Sequence, residues 1–135
     1  MIPAEFDYTA PASLDEALQA LAGGGEDAKP LAGGHSLLPL MKLRLAAPTL
    51  LVDLRRVPGL TGIERVDGGW RIGAMTPHIA MERETDLGLA SVVARTIADP
   101  QVRHRGTIGG SLAHGDPASD PVSYTHLTLP TTPYV

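Results

Sequence analysis

Cysteine is absent from the 135-residue chain. That absence excludes a disulfide scaffold, a thiolate nucleophile and a thiolate-held zinc or iron–sulfur centre. Any iron–sulfur chemistry must therefore come from a partner. Basic residues are also few: 11 Lys and Arg against 15 Asp and Glu leave a formal charge of −4, with no basic block. Nucleic acid is a poor partner for such a chain, because phosphate neutralisation needs clustered Lys and Arg. No apolar run approaches the about 18 residues of a membrane span, and the amino terminus lacks a basic-then-apolar signal. We therefore expect no transmembrane segment and a cytoplasmic location. Several nucleotide and hydrolase motifs are missing as well. No G-x-G-x-x-G follows the first strand, no Gly-Lys-Ser/Thr occurs, and no G-x-S-x-G elbow is present. His35, His78, His104 and His114 lack the spacing of a metal site.

What is present is a composition 43% hydrophobic and 19% charged, that of a soluble globular domain with one core. Fifteen glycines and twelve prolines point to tight turns and backbone-lined loops. Phe6–Ala10 alternates as a short strand. Ser13 and Glu16 form a capping box ahead of Leu14, Leu18 and Leu21, which predict one apolar helix face stopped at Gly23–Gly25. Lys29–Ala32 reads as a second strand, after which Leu37, Leu40, Met41 and Leu45 recur at helical spacing. Thr49–Leu54 is a continuous apolar run, the pattern of a strand covered on both faces.

Val57-Pro58-Gly59 marks a boundary, giving an α/β unit over residues 1–57 and a second unit over 58–120. The second begins with a hairpin, Gly62–Val66 and Trp70–Ala74 about Asp67-Gly68-Gly69. Thr76-Pro77 caps a helix to about Glu84, and Leu89–Ala98 forms another before Asp99-Pro100. Met41, Met75 and Met81 read as core filler. Composition then switches: Val122–Val135 has no charged residue but four of the eleven threonines. Its back-translation resembles a transposon sequencing adapter read in frame. We take residues 121–135 as a non-native tail on the amino-terminal part of a longer protein; the alternative is a natural amphipathic strand.

Two glycine-rich segments carry the chemistry. Ala32-Gly33-Gly34-His35-Ser36 lies between a strand and a helix beginning at Leu37, where outward amides and the helix amino end suit a phosphate. Glycines there equally serve just to change chain direction. Thr107-Ile108-Gly109-Gly110-Ser111 offers hydroxyls and amides again, preceded by Arg103-His104-Arg105. Those cations fit phosphate contact, a partner subunit or a solvated turn alike. Asp116 and Asp120 around Pro117 read more readily as turn chemistry than as an acid–base pair. A non-enzymatic assembly module, its glycine loops purely structural, is the alternative to a nucleotide-binding enzyme.

The segments Ala32–Arg44, Thr49–Leu54 and Val102–Asp120 resemble the FAD-binding medium subunit of molybdenum hydroxylases, as in aerobic carbon monoxide dehydrogenases and xanthine dehydrogenases. The resemblance spans Ile2–Asp120 and implies an α+β fold of the molybdopterin dehydrogenase (PCMH) type. In that fold a small amino-terminal α/β subdomain precedes an antiparallel-sheet subdomain, here incomplete. It implies that Ala32, Gly33, Gly34, His35, Ser36, Leu37, Thr107, Ile108, Gly109, Gly110 and Ser111 contact FAD, that Ile97 walls the flavin pocket and that Asp120 adds a contact. No side chain emerges as a catalytic acid or base, and no metal ligands emerge. Its implied partners are a molybdenum-cofactor large subunit and a 2Fe-2S small subunit, with electrons leaving through the flavin to an external acceptor. This part alone is expected to be inactive.

Overall fold

The computed structural model describes residues 1–115; Asp116, Asp120 and the tail from residue 121 lie outside them. The first half is a three-stranded parallel sheet in the order β1-β3-β2, with β1 Asp7–Thr9, β2 Ala28–Leu31 and β3 Leu50–Asp53. Helix α1, Leu14–Gly24, joins β1 to β2, and the short helix α2, Leu37–Lys42, joins β2 to β3. The expected run of strand, helix, strand, helix, strand is thus what forms.

β3 is central and covered on both faces, as its unbroken apolar run requires. Val52 packs with Ala17 and Val57 on one side, while Leu51 packs with Leu31 and Met41 on the other. Each fully buried Val, Leu or Met side chain among them contributes about 1.5–3 kcal/mol. Ser13 caps α1 by accepting from the Glu16 amide at 3.2 Å, whereas the Glu16 carboxylate reaches one residue further back, to the Ala12 amide. α1 does not bury the face that the leucine spacing suggests. Ala17 is the fully buried residue, with Ala20 and Leu21 beside it, while Leu14 and Leu18 stay half exposed. Leu45 falls beyond the end of α2 and is 73% exposed, so it does not extend that helix face.

A second, two-stranded antiparallel sheet follows: β4 Ile63–Val66 and β5 Gly69–Ile72, turning through Asp67-Gly68 with Gly68 at φ +81. Four short helices complete the described chain: α3 His78–Arg83, α4 Leu89–Arg95, α5 Pro100–Arg105 and α6 Ile108–His114. Their core is Met81, Ala94, Ile97 and Ile108, with Ile63 and Ile72 from the hairpin against it.

Three local expectations fail here. Thr76 does not cap α3: its buried hydroxyl accepts from the Gly62 amide at 3.0 Å and donates to the Gly62 carbonyl, pinning the hairpin base instead. The helix expected over Leu89–Ala98 stops at Arg95, and Asp99-Pro100 starts α5 instead, with the Asp99 carboxylate accepting from the Val102 amide. The second glycine segment is no loop either. Thr107 is an N-cap whose Oγ1 accepts from Gly110, and Gly109, Gly110 and Ser111 are helical. Among the described residues no helix is long and apolar enough to cross a membrane.

Candidate functional site

Both glycine segments line one cleft of about 520 Å³. They meet because the Gly33 backbone lies directly on the α5–α6 junction. A Cβ on Gly33 would stand 2.2 Å from the Arg105 carbonyl oxygen, a contact no side chain tolerates. Across the cleft, a Cβ on Gly110 would reach 3.7 Å from the Ala32 Cβ. Two further bonds stitch the start of α3 to the start of α6: the His78 amide donates to the Gly106 carbonyl, and the Ile108 amide to the Thr76 carbonyl, each at 3.0 Å.

The segments offer different things to a ligand. In the first, the amides of Gly33, Gly34, His35, Ser36 and Leu37 donate to no acceptor among the described residues. Gly34 turns the chain through φ +81, a conformation that favours glycine. In the second, the amides are already engaged. Ile108 donates to Thr76, Gly109 to Ala74, Gly110 to the Thr107 hydroxyl and Ser111 to the Thr107 carbonyl. The expectation of exposed amides there is therefore corrected. What Gly109 and Gly110 supply is bareness: a Cβ on Gly109 would strike the Ala74 carbonyl oxygen at 2.6 Å.

The other anticipated residues divide similarly. Ala32, Gly33, Gly34, His35, Ser36 and Leu37 all reach the cleft, as do Thr107, Gly109, Gly110 and Ser111. Ile97 lies in its wall while remaining 5% exposed. Ile108 does not reach it; the side chain is turned into the core beside Met81 and Ala94. Asp120 lies outside the described residues. Arg103 is neither a phosphate contact nor a solvated turn residue. Its guanidinium bonds the Glu82 carboxylate at 3.1 Å and the Ile97 carbonyl at 2.8 Å, tying α5 to α3 and to the end of α4. The His104 ring bonds the Pro100 carbonyl.

Several lining residues escaped the sequence reading. Lys29 and Met75 line the cleft too, the second where core filler was expected. His78 is 2% exposed, its Nε2 lies 3.1 Å from Ser111 Oγ, and burial lowers its pKa below the ordinary imidazole value. Its position after Thr76-Pro77 was the available signal. No Asp or Glu lines the cleft among the described residues, although the chain as a whole is acidic. A row of amides without acceptors, and no carboxylate among the described lining residues, suit a diphosphate.

Residues 4–127 match the family described as the FAD binding domain in molybdopterin dehydrogenase. The chain belongs to that family. Its cofactor is FAD, and the residues present fit one: unengaged amides for the diphosphate lie beside apolar walls for the rest of the molecule. The domain is 51% identical over 124 residues to the carbon monoxide dehydrogenase medium chain of Hydrogenophaga pseudoflava, covering 89% of this chain and 43% of that one. It is 48% identical over 124 residues to the 6-hydroxypseudooxynicotine dehydrogenase complex subunit alpha of Paenarthrobacter nicotinovorans, covering 89% and 42%.

Solved structures agree. The carbon monoxide dehydrogenase from Hydrogenophaga pseudoflava that lacks the Mo-pyranopterin moiety gives a TM-score of 0.86 at 51% identity, over 90% of this chain and 44% of that one. Quinoline 2-oxidoreductase from Pseudomonas putida 86 gives 0.84 at 42% identity, over 90% and 44%. The resemblance to molybdenum hydroxylase FAD subunits is thus borne out, and with it the mixed α and β fold. These relatives are parts of oxidoreductases, and the FAD-binding domain spans less than half the length of each of them.

Proposed function

We propose that this domain holds FAD as part of a medium subunit in a cytoplasmic molybdenum hydroxylase, with the diphosphate against Gly33–Leu37 and the bare strip Gly109–Gly110 opposite. FAD accepts and releases electrons when bound; the chain's own contribution is to bind, orient and shield it. In this reading electrons arrive from a 2Fe-2S small subunit, after substrate oxidation in a molybdenum-cofactor large subunit, and leave to an external acceptor. Residues 1–57 and 58–120 are its two lobes, with Ile97 beside the flavin and Asp120 as a further contact. The observation that carries the proposal is the run of five amides, Gly33 to Leu37, that meet no acceptor among the described residues and line a cleft to which those residues bring no Asp or Glu.

The test is flavin content. The full-length subunit, purified and examined by absorbance, is expected to carry one FAD. The isolated 135-residue chain is expected to bind FAD weakly and to turn nothing over, since an open half-pocket leaves the ring in water. A full-length subunit that neither retains nor takes up FAD would refute the reading.

A further inference from the structure

The His78–Ser111 pair has no part in the amide cradle, yet it sits at the same cleft. His78 is buried at the start of α3, Ser111 stands in α6 on the cleft wall, and they meet at 3.1 Å between Nε2 and Oγ. The direction of that bond decides what the cleft sees. If the Ser111 hydroxyl donates to the ring, it turns lone pairs outward and repels an anion. If Nε2–H donates to Ser111 Oγ, the hydroxyl proton is left to point into the cleft. No Asp or Glu among the described residues lines the cleft, and an anion held there selects the second arrangement, because only that one offers it a hydroxyl proton.

We propose that His78 is a positioning residue: its Nε2–H donates to Ser111 Oγ and thereby presents the Ser111 hydroxyl proton to a phosphate oxygen of FAD. This rests on the FAD reading above and adds a donor on the second wall, where the main chain has none to spare at 108–111. Burial supports it, since desolvation disfavours the imidazolium and leaves a neutral ring able to carry its proton on Nε2.

The test uses the full-length subunit stripped of flavin and titrated with FAD, with circular dichroism as the check on folding. Ser111→Ala is expected to weaken FAD binding by about tenfold, the scale of one hydrogen bond to a charged group. His78→Leu should cost about the same, and the double variant no more than either single one, because both remove a single donor. His78→Gln, whose amide nitrogen can take the place of Nε2, should bind within about threefold of the parent, an expectation drawn from the same donor inventory. Should His78→Leu fail to fold, Ser111→Ala alone and in the His78→Gln background decides the matter. Additive losses, a His78→Gln variant as weak as Ser111→Ala, or a Ser111→Ala variant with parental affinity would overturn the proposal. A parent that binds no FAD would refute the cofactor reading instead, so the two failures are distinguishable.

Discussion

The two glycine segments look alike in sequence and do opposite work. Gly33-Gly34 sits in an irregular turn whose amides are left unengaged, whereas Gly109-Gly110 is helical, its amides satisfied and its missing side chains letting α6 lie against Ala74 and Ala32. Glycine is thus used once to expose the backbone and once to bury it. Gly33 links the two, since its own bareness lets the first segment rest on Arg105 and Gly106.

Substitutions separate these uses. Gly109→Val should have the largest effect on folding, about 3 kcal/mol or more by chemical denaturation, because its side chain meets the Ala74 backbone and neither can yield. A loss under about 1 kcal/mol would show that α6 can shift aside, and the contrast would dissolve. Gly110→Val is expected to tell more on binding in the full-length subunit, abolishing flavin content at a smaller cost in stability of about 1–2 kcal/mol. Its Cβ would stand 2.8 Å from the Thr107 Oγ1 that caps α6, and the rest of the side chain would enter the cleft. Retained stoichiometric FAD would remove Gly110 from the binding surface.

A pH series probes the packed side alone. Burial lowers the His78 pKa, so the unfolded chain binds more protons than the folded one as pH falls past the ordinary value of about 6.5. The stability His78 contributes is full above that value and is lost as pH falls through the lower folded pKa. The denaturation midpoint should therefore drop between neutral and mildly acidic pH, and His78→Gln should flatten the drop. The smallest effect is expected at Ala98, held at φ +39 beside the Arg103 guanidinium. Ala98→Gly should be neutral or stabilising by up to about 1 kcal/mol, measured by thermal unfolding.

Much of the first half was legible because its signals are local or strongly periodic. The Ser13 cap and the apolar run that became β3 each carry their own physics, as does the Asp67-Gly68 turn that opens the second half. The second half was less so. Helices of six or seven residues, α3, α5 and α6, complete barely two turns, too few for an apolar period to register. α6 moreover has two glycines in its first turn, after Ile108, poor helix formers that tertiary packing overrides. Leu14 and Leu18 show the other limit: spacing reveals that a face is apolar, not which neighbour covers it. Arg103 is hidden for the same reason, since its partners Glu82 and Ile97 are close only in space. At the site, the amide loop could be read from sequence, but the engagement of the second segment's amides depends on Ala74 and Thr76, which nothing in that segment announces.

The central place of Leu50–Asp53 also governs when the protein can take shape. Among the described residues β1 and β2 each pair with β3 and not with each other. A nascent chain leaving the ribosome therefore carries two unmatched strand edges until its third strand emerges, and only then can the sheet close around it. Until then both edges stay open to mispairing with other chains.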